Sequence, residues 1–262
     1  MIKKQGYAIF DLDYTLIPHD TILLFANFIL KKFRWRMFYL FFVVPVIPFA
    51  LLKWISSKTL KQIFLSFLWK IENEKLQELS KNFVETLVVP NLYPEILEEI
   101  KKHKNKKILI LNTAAPDFYA KYIGEKLGFD FTIATPFAIK QKINLFPKIL
   151  GENNKSYAKI KRLINLLDSD AREKLEAFFK NPNFKKLDYP LILKNSISYS
   201  DSLADLPLLR LTEKAKLVNP ENKKLIKEAK TKNWQILTPK KPFTNQFQKY
   251  KIALLQCLGF YN

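Results

Sequence analysis

The chain has 262 residues, 48% hydrophobic and 14% aromatic, enough for one sizeable core and a smaller accessory unit. Its 44 Lys+Arg against 24 Asp+Glu give a formal net charge of +20. That excess favours an anionic partner, whether nucleic acid, anionic lipid or a phosphorylated substrate. The single cysteine, Cys257, excludes an internal disulfide and fits a reducing compartment, and Met1 to Gly6 lacks the apolar stretch that opens a secretory signal.

The first element is the apolar run Tyr7-Ala8-Ile9-Phe10, which predicts a buried strand. Asp11 falls where that strand ends, and Asp13 lies in the turn beyond it. In an open α/β sheet the carboxyl end of a strand is where ligands bind. An ordinary Asx-type turn would show the same local pattern.

Asp20 is placed to cap a helix that runs from Thr21 to Leu30. The basic cluster Lys31-Lys32-Phe33-Arg34-Trp35-Arg36 follows, and then Met37 to Leu52, which has no charged side chain. This run is shorter than the roughly 20 apolar residues of a membrane span. Pro45 and Pro48 would also kink a helix there. Three placements stay open: a buried helical hairpin, an interfacial or re-entrant segment flanked by Arg, Lys and Trp, or a true span. Residues 56–89 read as an amphipathic helical pair, with Phe64, Phe67, Leu68 and Ile71 at helical spacing.

From residue 90 the pattern alternates. A helix from Pro94 to His103 leads to a second buried strand, Ile108-Leu109-Ile110-Leu111-Asn112-Thr113. A helix around Phe118 to Leu127 ends at Gly128, and Phe131 to Ala134 suggests a third strand. Residues 138–152 read as a hairpin or irregular excursion, and Ser156 to Leu167 as a helix carrying Lys159. Residues 168–194 are charged, hold Pro182 and Pro190, and are expected to form a surface insertion. Ile197-Ser198-Tyr199-Ser200-Asp201 is a strand ending in a carboxylate. Two short strands, at 216–219 and 234–237, flank a Lys-rich helix, and the basic tail from Pro239 is expected to be peripheral. Strands alternating with helices predict an α/β fold with a Rossmann-like parallel sheet, into which a helical cap is inserted. The expected organisation is a core of residues 1–15 and 106–240, a cap of 16–105 with its apolar segment 37–52, and a basic tail of 241–262.

Three strand ends then each offer a functional group: Asp11 with Asp13, Thr113, and Asp201 with Asp205, while a helix offers Lys159. Carboxylates gathered in this way repel one another unless a hard cation sits among them, and Mg²⁺ suits such a site. A carboxylate can act as a nucleophile toward phosphorus, and a second one can move the proton. Lysine and hydroxyl donors can hold phosphoryl oxygens.

Asp11-Leu12-Asp13-Tyr14-Thr15 resembles the first motif of the haloacid dehalogenase (HAD) phosphatase superfamily. Leu109 to Ala114 resembles its second motif, and Lys159 to Leu163 the helix bearing its third-motif lysine, with Lys155 as the alternative. Tyr199 to Leu209 is similar to the fourth motif of the phosphoserine phosphatase-like subfamily, as are Val218-Asn219-Pro220-Glu221 and Trp234 to Leu237 farther on. The resemblance covers most of residues 7–237. It implies Asp11 as nucleophile and Mg²⁺ ligand, and Asp13 as general acid/base and Mg²⁺ ligand through its carbonyl. Thr113 and Lys159 would hold the phosphoryl group, and Asp201 would be a metal ligand supported by Asp205. Tyr14 departs from the pattern, standing where Gly or Ser is usual.

The stretch from Met37 to Leu52 also resembles that of phosphatidylglycerophosphatase C-type enzymes, which implies a phosphorylated lipid substrate and an anionic membrane surface. On that expectation the enzyme works at the cytoplasmic side, associated with the inner membrane. A soluble phosphatase of small phosphomonoesters is the alternative, and a non-catalytic membrane or nucleic-acid binder the third reading. No nucleic-acid motif appears, so no nucleic-acid partner is expected.

Overall fold

The structure, a computed structural model, describes residues 4–52, 54–184 and 190–262. Six parallel strands form one sheet: β1 (Tyr7–Phe10), β2 (Ile108–Pro116), β3 (Phe131–Thr135), β4 (Leu193–Ser200), β5 (Thr212–Val218) and β6 (Gln235–Leu237). Their order is β3-β2-β1-β4-β5-β6, and Phe10 of β1 lies opposite Leu111 on one side and Tyr199 on the other. The chain winds outward from β1 in both directions, so the strand order reverses there. The crevice at that reversal is where ligands bind in such sheets.

Alternate residues of β1 feed different cores. Ala8 and Phe10 join the large cluster shared with the inserted helices, whereas Tyr7 and Ile9 join a smaller one on the opposite face. Phe10 stacks on Tyr199 with ring centroids 4.2 Å apart.

The helices are α1 (Thr21–Lys32), α2 (Ile47–Leu51), α3 (Ser57–Phe64), α4 (Asn73–Phe83), α5 (Pro94–His103), α6 (Asp117–Leu127), α7 (Tyr157–Leu163), α8 (Ser169–Lys180), α9 (Leu206–Leu211), α10 (Lys223–Thr231) and α11 (Gln246–Cys257). The Asp20 carboxylate accepts from the Ile22 and Leu23 backbone N–H groups, so α1 starts with a satisfied cap. Fully buried Phe25 on α1 meets Phe28, Phe83, Phe118 and Tyr119, which ties the inserted helices to α6. Helix α6 approaches β3 closely at Gly124, where a Cβ would stand 1.8 Å from Thr132 Oγ1. Helix α5 lies against the sheet: the Tyr199 hydroxyl donates to Glu99 Oε2 at 2.6 Å, and Lys216 Nζ reaches the same oxygen at 2.6 Å. Burial works against the Glu99 carboxylate, but these partners and Lys102 outweigh it and hold its pKa down at about 2.

Three expectations are corrected. The Met37–Leu52 run is neither a buried hairpin nor one helix. It breaks into a 3-10 stretch over Arg34–Phe42, a turn at Val44–Val46 and the short α2. The two prolines remove backbone donors there, and most of the large apolar side chains stay exposed. Among the described residues no helix is long and apolar enough to cross a membrane. Residues 168–194 are not merely a surface insertion. Asp168 caps α8, whose Ala171 and Leu175 are buried in the smaller core, while residues 185–189 of that stretch lie outside the described residues.

The basic tail is not peripheral. Helix α11 packs on α1, and Asn27 exchanges hydrogen bonds with the Tyr261 backbone at 2.9 and 3.1 Å. Gly259 adopts φ +70 with space for no side chain, because a Cβ would lie 2.7 Å from Leu30 Cβ. The basic leader serves this docking. Arg34 donates to the Gly259 carbonyl and lies over the Phe260 ring, while Arg36 turns inward to the Phe67 and Trp69 carbonyls.

Candidate active site

The carboxyl ends of β1 and β4 stand side by side at the reversal point and carry Asp11 and Asp201. Asp11, Asp13, Lys159, Asp201 and Asp205 line one cavity of about 260 Å³. Asp20, Ile22, Ser57 and Lys61 line it from the inserted unit, with Lys155 and Asn153 at its side.

Lys159 is almost fully buried and bridges two acids, with Nζ 2.6 Å from Asp11 Oδ1 and 2.7 Å from Asp205 Oδ2. Burial disfavours its charge, but Asp11 and Asp205 outweigh that and raise its pKa. Asp205 is held in turn by the Ser200 hydroxyl at 2.7 Å. The Asp201 N–H donates to Thr15 Oγ1 at 3.1 Å, which joins the first loop to the end of β4.

The Asp13 carboxylate accepts from both the backbone N–H and the hydroxyl of Thr21, at 2.9 and 2.6 Å. The first turn of α1 therefore fixes its orientation. Burial pushes the Asp13 pKa up to about 7, and Asp20 adds to this against the Thr21 hydrogen bonds. Burial likewise raises Asp11 to about 7, opposed by Lys159 and reinforced by Asp205 and Asp13. Asp201 is raised well above the usual carboxylate range by burial first and then by Asp11 and Asp205. A site with this much clustered negative charge suits a hard cation. Among the described residues no group of three or more His, Cys, Asp or Glu side chains forms a metal site by itself. Mg²⁺ needs only one or two carboxylates and completes its shell with water and phosphate oxygen, so the acids that line this cavity fit such an ion.

Thr113 does not line the cavity. Strand β2 continues to Pro116, so Thr113 is fully buried within it, and its hydroxyl oxygen accepts from the Ala115 N–H at 3.0 Å. Ala114 and Ala115 form the wall instead. Of the two candidate lysines, Lys159 makes the carboxylate contacts and Lys155 stands at the cavity edge.

Sequence reasoning missed several residues. Lys61 of α3 reaches across to the Ala114 carbonyl and Asn153 Oδ1, at 2.7 and 2.8 Å. Asn154, fully buried, donates to Asn112 Oδ1 and the Thr113 carbonyl and so ties its loop to the end of β2. Thr21 sits one residue past a legible cap, and that position was its only signal.

Residues 8–210 match the haloacid dehalogenase-like hydrolase family, and the chain belongs to it. It is a hydrolase of that family. A histidinol-phosphatase of Neisseria meningitidis serogroup C (strain 8013) is 26% identical over 248 residues, covering 89% of this chain and 98% of that protein. Among solved structures, a protein of unknown function from Bordetella pertussis Tohama I aligns with a TM-score of 0.68 at 20% identity, covering 90% of this chain and 99% of that one. A substrate-bound phosphoserine phosphatase aligns with a TM-score of 0.55 at 19% identity, covering 95% and 99%. These structural likenesses establish the fold, a parallel sheet with a helical cap like that of the phosphoserine phosphatases.

Proposed function

We propose that the chain hydrolyses small, polar phosphomonoesters through an aspartyl-phosphate on Asp11. The observation that carries this reading is the cavity. At about 260 Å³ it falls below the roughly 300–1,000 Å³ that encloses drug-sized ligands. Its inserted-unit wall is mostly polar, with Asp20, Ser57 and Lys61 beside Ile22. Such a wall suits a short polar alcohol as the leaving group. The histidinol-phosphatase and phosphoserine phosphatase relatives act on substrates of that size and polarity.

In this mechanism an Asp11 carboxylate oxygen attacks phosphorus, and the bond to the ester oxygen breaks. Lys159 favours the ionised form of Asp11 against burial and aims it. Asp13 gives its proton to the departing alkoxide, then takes one from the water that cleaves the acyl phosphate, releasing inorganic phosphate. A carboxyl group with a pKa of about 7 is matched to giving and taking a proton near neutrality. Asp11, Asp201 and the Asp13 carbonyl would hold Mg²⁺, which supplies positive charge against the phosphoryl oxygens. The Thr113 hydroxyl oxygen accepts from the Ala115 N–H and so braces the end of β2 that forms the cavity wall.

A second reading, hydrolysis of a lipid phosphate at an anionic membrane surface on the cytoplasmic side, has one observation in its favour. Trp35, Phe38, Phe41, Val44, Leu52 and Trp54 are each more than half exposed, shortly before Ser57 enters the cavity wall. Exposed aromatic and aliphatic groups of this kind suit an interfacial contact. The test is a Mg²⁺-supplemented panel of phosphoserine, histidinol phosphate, lysophosphatidate and phosphatidylglycerophosphate, run with anionic liposome flotation. The proposal expects turnover of a small ester and no flotation. Turnover confined to the lipids, with protein carried up by the liposomes, would install the second reading.

A further inference from the structure

The loop from Asp13 to α1 is gripped at both ends by the C-terminal helix. At its start Tyr14 adopts φ +55, a left-handed conformation that costs energy in any residue other than glycine. Lys249 Nζ lies 4.3 Å from the centre of the Tyr14 ring. At the far end the buried His19 ring meets the Gln256 amide at 3.2 Å and the Tyr261 ring at 5.4 Å. Lys249 and Gln256 are seven residues apart, two helical turns, and so share one face of α11.

The helix that supplies this face is itself fastened on both sides. Toward the core, Glu221 accepts from Lys249 at 2.9 Å, Gln246 at 3.0 Å and Lys241 at 3.4 Å. Toward the inserted unit, Asn27 and Arg34 hold the backbone at Tyr261 and Gly259. Lys249 therefore has little freedom, and a fixed cation over a ring face is an attractive contact.

We propose that α11 is a strap on the catalytic loop, with Lys249 as the positioning residue that holds Tyr14 and, through it, Asp13. The ring contact and the conformational cost at Tyr14 are of similar size, so losing the contact frees the loop to relax. Asp13 is the next residue along, and a small misplacement of an acid/base group slows turnover steeply. The inference rests on Asp13 being the proton-transfer group.

The test is steady-state phosphate release from β-glycerophosphate, whose alkoxide needs a proton to leave, with Mg²⁺ and alongside thermal unfolding, on variants of this chain. Lys249→Met should lower kcat by about tenfold with KM changed by less than about twofold. Lys249→Arg, which keeps a cation over the ring, should restore most of the rate. Lys251→Met, which removes the same charge from the exposed side of α11, should leave kcat unchanged. Tyr14→Leu is the second variant. It should lose a similar factor, and the double variant Tyr14→Leu/Lys249→Met should lose no more than either alone. Unchanged kcat in Lys249→Met, no recovery in Lys249→Arg, or additive losses in the double variant would each overturn the proposal. None of these outcomes bears on the phosphatase reading itself, which the Asp11→Asn variant tests separately.

Discussion

Asp13 is held by Thr21 and, in the proposed mechanism, moves a proton twice, so its loss should affect the two halves of the reaction differently. In Asp13→Asn the leaving alkoxide gains no proton and the attacking water loses none, and turnover should fall by a factor of about 100 or more. With a substrate whose leaving group needs no proton, rapid-quench experiments should show the phosphoenzyme still forming and then persisting. A variant that hydrolyses such a substrate at the wild-type rate would assign the proton to another group. His19 makes a different prediction, on stability. Burial lowers its pKa from 6.5 to about 4. Between those values the unfolded chain binds a proton that the folded chain does not, so this residue makes stability fall as pH drops from 6.5 toward 4. The loss from this one ring is up to about 3 kcal/mol, and above pH 6.5 it contributes no pH dependence. Urea titrations at about pH 4.5 and about pH 7.5 should show His19→Asn with a smaller gap between the two than wild type. The meeting of Asp11, Asp13 and Asp201 in one cavity was legible because each sits at or just past a strand end, and Asp205 follows on the turn after β4. Lys61 was not, because nothing in its spacing says that α3 will turn it toward the Ala114 carbonyl. Thr113 lies within β2 and not at its end, because β2 runs three residues farther than its apolar run suggests.

At the scale of elements, Phe25 is the joint between the inserted helices and the core. It is fully buried and touches four aromatic rings from α1, α4 and α6. Phe25→Ala should cost about 3–5 kcal/mol in chemical denaturation, through lost burial plus an unfilled cavity. A loss under about 1 kcal/mol would mean that the neighbouring rings collapse into the space. Most elements could be read from period and caps, as with Asp20 before α1 and Gly128 after α6. The exceptions are those whose packing depends on a distant partner. Helix α8 reads as a charged excursion because only Ala171 and Leu175 are fully buried in the core, with Phe179 partly so. Helix α11 looked peripheral because its basic residues read as a solvated tail, whereas Lys249 is committed to Glu221 and Tyr14. The apolar run before α3 was conspicuous, but composition alone did not indicate that its prolines would leave it in short exposed turns.

For the whole molecule, strand order does most of the positioning. Winding outward from β1 sets the ends of β1 and β4 next to each other and leaves the crevice open toward the inserted helices. The alternation of strands and helices made that topology readable, since parallel neighbours need crossover helices. The surplus of lysine and arginine, +20 overall, suits phosphorylated ligands, but some of these side chains are engaged inside the fold: Lys159, Lys61 and Arg36 have buried or partly buried partners. Chelation with EDTA should abolish hydrolysis and Mg²⁺ should restore it, as expected for a site in which clustered carboxylates need a cation. Full activity after exhaustive chelation would remove the metal from the account. In the proposed mechanism phosphorus passes through Asp11. The most direct measurement is acid quench during turnover of a small phosphomonoester with Mg²⁺, followed by peptide mass spectrometry. The account predicts a single phosphoryl group on the peptide containing Asp11, and neither label nor turnover in Asp11→Asn. Phosphate release without that label, together with near-wild-type turnover by Asp11→Asn, would contradict it.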